Sequence, residues 1–343
     1  MVVKVLELFS GIGGMRCGLT EALGEAEFTA VDLNLFCNRI YKESYNEDPV
    51  SANISSLPIE WFEAQNAEIW TMSPPCQPYS RQGNMQDSAD DRAEPLHHII
   101  QVLRHLKRIP NLILVENVKN FEASISFTEL KSVLDSRGYS MTGYLLNPLY
   151  MGFPNSRLRF FLVATLKTQQ PPFGILCNDP FYPEFDRINT SEAFPGRTIA
   201  EFLCSDHSSD LKVPLNVLEK KSAFTFDIVC PKSLQCLCFT KSYRKYITGT
   251  GSVLANDDCE AEEWDEKNRP KFQVGNSMTI FENKLRYFCP IESARLNGFT
   301  VNDKSAKWSL QFPDGCSGSI HYYRAVGNSV NPHVVSFIVK KHI

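Results

Sequence analysis

The sequence predicts an α/β fold with a doubly wound sheet, followed by a smaller irregular domain. Through the first half of the 343 residues, short apolar runs typical of strands alternate with segments whose apolar residues recur at helical spacing. Such alternation is typical of a sheet covered by helices on both faces. From about residue 168 the pattern changes, because Pro171, Pro172, Pro180 and Pro183 interrupt any long helix. These observations indicate one large domain and one smaller one.

The individual elements follow from periodicity and apolar content. Leu96, Ile99 and Ile100 recur at helical spacing and predict an amphipathic helix over 95–109. The run 111–118 is apolar enough for a central strand buried on both faces. We predict strands at 3–9, 28–34, 67–73 and 111–118, two further strands in GYLLNP and RFFLVATL, and helices at 15–23, 36–45, 95–109, 126–138 and 331–343.

The composition is that of an ordinary globular protein, with 43% hydrophobic and 22% charged residues. No apolar segment approaches the length of a membrane span. The net charge of −4 argues against nonspecific basic charge over the whole surface. It allows a local basic face, for which the segments 104–108 and 241–245 are candidates.

The eleven cysteines are odd in number, and their spacing does not indicate a disulfide framework, so we expect reduced thiols. Cys236 and Cys238 form a C-x-C pair, whereas common zinc sites use C-x-x-C pairs. We therefore expect no bound metal.

A glycine-rich segment, FSGIGG (9–14), lies between the first predicted strand and the first predicted helix. Glycines in such a turn let the backbone approach a ligand closely, next to free N–H groups of the helix. The dinucleotide fingerprint would require glycine at position 16, where the chain has Arg16. The segment therefore favours a nucleoside cofactor without a pyrophosphate, and a simple strand–helix turn is the alternative.

Asp32 closes the second predicted strand. A carboxylate at this place can accept hydrogen bonds from two ribose hydroxyls. The alternative is that Asp32 caps the following helix.

Cys76 lies in SPPCQPYS (73–80), directly after two prolines at the end of an apolar strand. A thiol held in a rigid turn is well placed to act as a nucleophile. The alternative is an inert packing cysteine.

Glu116 ends the apolar strand before the sequence ENV (116–118). A carboxylate there is costly unless it has a task or a partner, and partial burial would raise its pKa. It could then donate a proton near neutral pH, and a salt bridge to a basic neighbour is the alternative.

Arg157 and Arg159 stand two residues apart in NSRLR (155–159). If this stretch is extended, both side chains point to one face, where they could hold an oxygen-rich ligand and lower the pKa of a thiol. A pair of surface arginines is the alternative.

Taken in order, these segments resemble the motifs of the cytosine-carbon-5 methyltransferases. FSGIGG is similar to their first motif, SPPCQPYS to the catalytic-cysteine motif, ENV to the glutamate motif, RLR to the arginine motif, and GNSVN (327–331) to the last motif. CFTKSY (238–243) and GTGS (249–252) resemble a narrower signature, that of the small eukaryotic branch that methylates a cytosine in the anticodon loop of aspartate transfer RNA. The segment 80–92 resembles the active-site loop of that branch.

The resemblance implies a covalent mechanism that uses S-adenosylmethionine, from which S-adenosylhomocysteine is the product. Cys76 would attack carbon 6 of cytosine, Glu116 would protonate the ring at nitrogen 3, and Arg157 and Arg159 would hold the cytosine carbonyl and the thiolate. The implied cofactor-binding residues are Phe9, Gly11, Ile12, Gly13, Gly14, Asp32, Ile54, Ser73, Asn328, Ser329 and Val330.

The resemblance also implies the domain roles. Residues 1–168 and 319–343 would form a Rossmann-like methyltransferase domain, and residues 169–318 a small target-recognition domain. We expect a monomeric cytoplasmic enzyme that binds tRNA, with the nucleus left open as a second location. Two alternatives remain: a DNA cytosine-5 methyltransferase, and a catalytically idle nucleic-acid-binding homologue.

Overall fold

The structure, a computed structural model, describes residues 2–75, 94–166, 172–190, 196–205, 209–255, 277–303, 305–306, 308–312 and 319–343. The chain forms two compact units. The first unit consists of Met1–Asn147, Leu158–Thr190 and Val330–Ile343, and the second of Pro148–Arg157 and Ser191–Ser329. The helices within the described residues are α1 (Gly14–Leu23), α2 (Leu35–Tyr45), α3 (Ile59–Gln65), α4 (Glu94–His105), α5 (Ile125–Ser136), α6 (Leu215–Leu218), α7 (Pro290–Leu296), α8 (Ile320–Gly327) and α9 (Pro332–Val339).

The first unit is built on a mixed sheet. Its described strands are β1 (Val3–Leu8), β2 (Ala26–Val31), β3 (Ile69–Met72), β4 (Leu112–Val118), β5 (Tyr139–Leu146), β6 (Arg159–Leu166), β7 (Ile175–Cys177) and β8 (Asp186–Arg187). They run in the order β2-β1-β3-β4-β6-β5-β7-β8. Within this described sheet, β6 is antiparallel to β4 and β5, and the other neighbours are parallel. The predicted α/β class with a parallel-dominated sheet is confirmed.

The helices of the first unit cover the sheet through apolar faces. Leu96, Ile99 and Ile100 of α4 are almost fully buried, as their helical spacing predicts. The helix is shorter than predicted and ends at His105. The core also contains the large rings of Phe62 and Trp70, whose centroids are 5.6 Å apart.

The C-terminal helix α9 packs against α1 within the first unit. A Cβ atom at Gly18 would lie 2.5 Å from the Pro332 carbonyl oxygen, so a glycine is needed where the helices approach. Asn331 caps α9 by accepting from His333 N at 3.0 Å. This contact returns the end of the chain to the first unit, as the sequence pattern suggests.

The two units divide the chain differently from the predicted boundaries. Residues 172–190 belong to the first unit because β7 and β8 extend the large sheet beside β5. Residues 148–157 and 319–329 belong to the second unit. The two short strands were not predicted from this proline-rich sequence, because only the pairing of β7 with β5 and of β8 with β7 shows that they belong to the sheet.

The second unit has little regular structure in its described part. A small sheet has the order β11-β10-β9, with strands β9 (Asp227–Val229), β10 (Ser252–Ala255) and β11 (Leu285–Arg286). Aromatic side chains fill its interior, and the Tyr243 ring contacts the rings of Phe239, Tyr287 and Tyr323. Short 3₁₀ turns and this small sheet agree with the predicted irregular character. None of the described helices is both long and apolar enough to span a bilayer.

Candidate active site

The glycine loop, Phe9–Gly14, turns between β1 and α1 with left-handed backbone. The φ angles are 56° at Phe9, 53° at Gly11 and 81° at Gly13. A Cβ atom at Gly11 would meet open space, whereas one at Gly13 would lie 2.5 Å from the ring of Tyr45. Packing against α2 therefore requires the glycine at 13, and the glycine at 11 leaves room beside the loop.

Asp32 follows β2 and joins this loop to the start of α2. Its Oδ2 accepts a hydrogen bond from Gly11 N at 2.8 Å, and its Oδ1 accepts from Asn34 N at 2.8 Å. Asn34 is the residue that caps α2, since its side chain accepts from Phe36 N at 3.1 Å. Burial raises the pKa of Asp32 above its ordinary value. Asn34 rather than Asp32 therefore caps α2, and Asp32 is a half-buried carboxylate beside the glycine loop.

The segment that leads to Cys76 is anchored to β4. The parallel neighbours β3 and β4 end at the same edge of the sheet. At that edge, the buried Asn117 of β4 donates from Nδ2 to the Pro74 carbonyl at 3.2 Å. Ser73, between the strand end and this anchor, is half-buried. Cys76 itself and the loop 80–92 lie outside the described residues, so their roles stay predictions.

Glu116 lies at the same sheet edge with only 7% of its surface exposed. Its Oε1 forms an ion pair with Arg159 Nε at 3.4 Å. Arg159 begins β6, which is antiparallel to β4 and pairs it with Val118. The salt-bridge alternative for Glu116 is therefore realised, and its partner is one of the two arginines predicted for the site. The ion pair holds the carboxylate in place beside the segment that leads to Cys76.

Arg157 has a different environment within the second unit. It is 4% exposed and donates to the carbonyl oxygens of Gly327 (3.2 Å) and Ser329, and to Cys238 Sγ at 3.1 Å. A Cβ atom at Gly327 would lie 2.3 Å from Lys241 N, so two backbone segments are in close contact here. Arg157 thus links the segment CFTKSY (238–243) to the segment GNSVN (327–331) through hydrogen bonds. This geometry favours a positioning role for Arg157 and leaves direct substrate contact as the prediction for Arg159.

The family described as C-5 cytosine-specific DNA methylase matches residues 3–343. The chain belongs to this family of C-5 cytosine methyltransferases.

Individual relatives cover nearly the full length. The tRNA (cytosine(38)-C(5))-methyltransferase of Schizosaccharomyces pombe is 35% identical over 340 residues, which cover 98% of this chain and 96% of that protein. The DNA (cytosine-5)-methyltransferase of Dictyostelium discoideum is 32% identical, covering 98% of this chain and 93% of that protein. The crystal structure of the S. pombe Dnmt2 methyltransferase is similar with a TM-score of 0.79 and 32% identity, covering 99% of this chain and 98% of that chain. The predicted family and fold are confirmed.

S-adenosylmethionine is the methyl donor that membership of the C-5 cytosine methyltransferases implies, and the glycine loop fits such a nucleoside. Open space adjoins Gly11, and the Asp32 carboxylate faces the loop. The buried hydroxyl of Ser10 has no hydrogen-bond partner among the described residues, which is suited to a polar ligand. Ile54 is buried in the core, next to a second such hydroxyl on Ser55.

The last motif of this C-5 cytosine methyltransferase crosses the boundary between the units. Asn328 and Ser329 belong to the second unit, and the buried Val330 belongs to the first. Arg157 fixes the carbonyl of Ser329. The part of these three residues in cofactor binding stays a prediction, as do the parts of Ile12 and Gly14, which are buried within the loop and at the start of α1.

Two further residues of this C-5 cytosine methyltransferase, one at the sheet edge and one next to the glycine loop, were not predicted from the sequence. Asn117 has no predicted role beyond its place in the ENV motif, and in the structure its side chain hydrogen-bonds the carbonyl of Pro74. Glu7 is fully buried in β1 and accepts from Arg16 N at 3.1 Å and Tyr41 Oη at 2.9 Å. The signal that could have identified Glu7 was a carboxylate between Leu6 and Leu8, two positions before the glycine loop.

Proposed function

We propose that the protein transfers a methyl group from S-adenosylmethionine to carbon 5 of a cytosine in the anticodon loop of tRNA. The observation that carries the proposal is the arrangement at the ends of β3 and β4. Glu116, paired with Arg159, lies at the edge where Asn117 anchors the segment that leads to Cys76. The match of the C-5 cytosine methyltransferase family to residues 3–343 supports the same reaction.

Cys76, Glu116 and Arg159 each have a separate role in the proposed methylation of cytosine. Cys76 adds to carbon 6 of cytosine as a thiolate, because carbon 5 of the unactivated ring is a poor nucleophile. Glu116 hydrogen-bonds nitrogen 3 and the exocyclic amine, and it delivers a proton to the ring as the thiolate adds. Arg159 orients Glu116 and donates to the cytosine carbonyl. When bound, S-adenosylmethionine supplies an electrophilic methyl group to the activated carbon 5. Loss of the carbon-5 proton and elimination of Cys76 release the product.

One comparison and one physical argument favour tRNA over duplex DNA. The S. pombe relative, at 35% identity, carries the name of a tRNA methyltransferase. An anticodon-loop base is already partly unstacked, so less free energy is needed to bring it into the site. The DNA alternative rests on the name of the Dictyostelium relative.

A basic face for the RNA backbone is better placed in the second unit. Arg104 and Lys107 each lie 3.8 Å from a glutamate carboxylate, which offsets their charge. Lys241 and Lys245 are exposed, and the ammonium of Lys245 lies 5.2 Å from the centroid of the exposed Tyr246 ring. Charge beside an exposed aromatic ring suits a phosphate backbone with unstacked bases.

The proposal is tested by incubating the protein with methyl-labelled S-adenosylmethionine and either bulk tRNA or duplex DNA. We expect label in tRNA, and none with the Cys76→Ala variant. Label in DNA alone would establish the DNA alternative. Binding of tRNA without label in either polymer would indicate an idle homologue.

We infer a monomer that acts in the cytoplasm, and leave the nucleus open as a second location. Light scattering of the purified protein at micromolar concentration tests the first point, and cell fractionation tests the second.

A further inference from the structure

A pair of cysteines in the second unit has no part in methyl transfer as proposed above. Cys204 Sγ and Cys289 Sγ are 3.8 Å apart, although 84 residues separate them along the chain. Cys289 is fully buried at the start of α7, and Cys204 is half-buried. A buried thiol in contact with a more accessible one is the arrangement of a resolving and a reacting cysteine.

One carboxylate fixes the backbone of both cysteines. Glu292 Oε1 accepts from Cys204 N at 3.0 Å, and Oε2 accepts from Cys289 N at 2.8 Å. The same carboxylate is ion-paired with the buried Arg286, with distances of 2.8 and 2.9 Å. Because the two main chains share this anchor, the two sulfurs stay close without a covalent bond.

The charges around the sulfurs favour oxidation over metal binding. The oxygens of Glu292 already accept from Arg286 and from two backbone N–H groups, so they are poorly available to a cation. Arg295 Nη1 lies 3.7 Å from Cys204 Sγ and favours its thiolate form. The hydrogen bond to Cys204, together with burial, raises the pKa of Cys289, which therefore remains a thiol.

We propose that Cys204 and Cys289 form a reversible disulfide when the protein meets a hydroperoxide, with Cys204 as the sulfur that reacts first. The Cys204 thiolate bonds to one oxygen of hydrogen peroxide as the O–O bond breaks. The other oxygen leaves as hydroxide and takes up a proton to become water. Cys289 then attacks the sulfenic sulfur, the S–S bond forms, the S–O bond breaks, and a second water carries away the proton of Cys289. A dithiol reductant reverses the change.

The test uses the full chain, first reduced and then treated with hydrogen peroxide. We expect peptide mapping to find a Cys204–Cys289 linked peptide that has lost two hydrogen atoms and disappears on reduction. The thermal midpoint of the oxidised protein should rise by about 5 °C, because the bond closes a long loop in the unfolded chain. Absence of the linked peptide while other thiols oxidise would overturn the proposal.

Variants test the order of the two steps. With Cys289→Ser, a dimedone probe should label Cys204, since the sulfenic acid has no resolving thiol. With Cys204→Ser, Cys289 should stay unlabelled. Cys230→Ser is the matched control, because Cys230 is buried in the same unit, and the linked peptide should form as before. Should a variant not fold, the early dimedone adduct of the wild-type protein decides the order, and its appearance on Cys289 would contradict the assignment.

A metal site is the competing outcome. Stoichiometric binding of zinc by the reduced protein, with protection of both thiols from peroxide, would replace the disulfide proposal. The readouts concern the two sulfurs alone, so they stand whether the enzyme methylates tRNA or DNA.

Discussion

The buried Glu7 side chain should make the stability of the first unit depend on pH in a way that one substitution removes. The carboxyl is fully buried under the glycine loop and contacts Arg16 N and Tyr41 Oη. Burial raises the pKa of Glu7 from its ordinary value of 4.5 to about 7. The contacts with Arg16 and Tyr41 lower the pKa only partly against that effect.

The sign follows from which state holds the proton. Below about pH 4.5 both states are protonated, and Glu7 contributes its full stability. Between about pH 4.5 and 7 the unfolded chain loses its proton while the folded chain keeps it, so stability falls as pH rises. One pKa unit corresponds to about 1.4 kcal/mol, so the gap corresponds to about 3 kcal/mol above pH 7.

The substitution Glu7→Gln keeps the size of the side chain and cannot ionise. We expect the free energy of unfolding of the variant, relative to the wild type, to increase by about 3 kcal/mol between about pH 4.5 and 8. Urea unfolding at both pH values measures the difference, and other titrating groups cancel. Glu27→Gln is the matched control, since Glu27 is exposed on the neighbouring strand β2. Parallel pH profiles for the wild type and Glu7→Gln would show that the pKa of Glu7 is not raised in the folded protein.

Other predictions concern the site itself. Glu116→Gln should lower the single-turnover rate constant of tRNA methylation by about 10²- to 10⁴-fold, because the ring loses its proton donor. An unchanged rate constant would show that Glu116 takes no part in the chemistry. Asp32→Asn should raise KM for S-adenosylmethionine by about tenfold, with little change in kcat, because a charge-assisted hydrogen bond is lost; an unchanged KM would count against the ribose role. Gly13→Ala should lower the free energy of unfolding by about 2 kcal/mol, because the new methyl group would overlap the Tyr45 ring. Gly11→Ala, which meets open space, should cost only about 1 kcal/mol, and equal costs would contradict this assignment.

The sequence predicted what is local or periodic. The alternating runs located the strands of the sheet from β1 to β6, because burial on the faces of a sheet imposes apolar character on each strand. Asp32 and Glu116 were found because strand ends carry ligands in this class of fold. The short strand β7 was missed because its place at the sheet edge depends on pairing with β5.

Contacts between distant residues could not be read from spacing. The hydrogen bonds from Arg157 to the carbonyl oxygens of Gly327 and Ser329 join residues about 170 positions apart. From the sequence we expected only that Arg157 and Arg159 share one face if the stretch is extended. The pairing of Cys204 with Cys289 escaped for the same reason, since neither cysteine has a partner at a recognisable spacing. Such contacts depend on how the second unit folds, and single-sequence patterns do not record that.

Mapping the methyl group on the RNA tests methylation of the anticodon loop by Cys76. Unmodified aspartate tRNA is incubated with the protein and S-adenosylmethionine, and 5-methylcytosine is mapped by bisulfite sequencing. We expect one modified cytosine in the anticodon loop, absent with Cys76→Ala and strongly reduced with Glu116→Gln. An unmodified anticodon loop, together with 5-methylcytosine in duplex DNA under the same conditions, would contradict it.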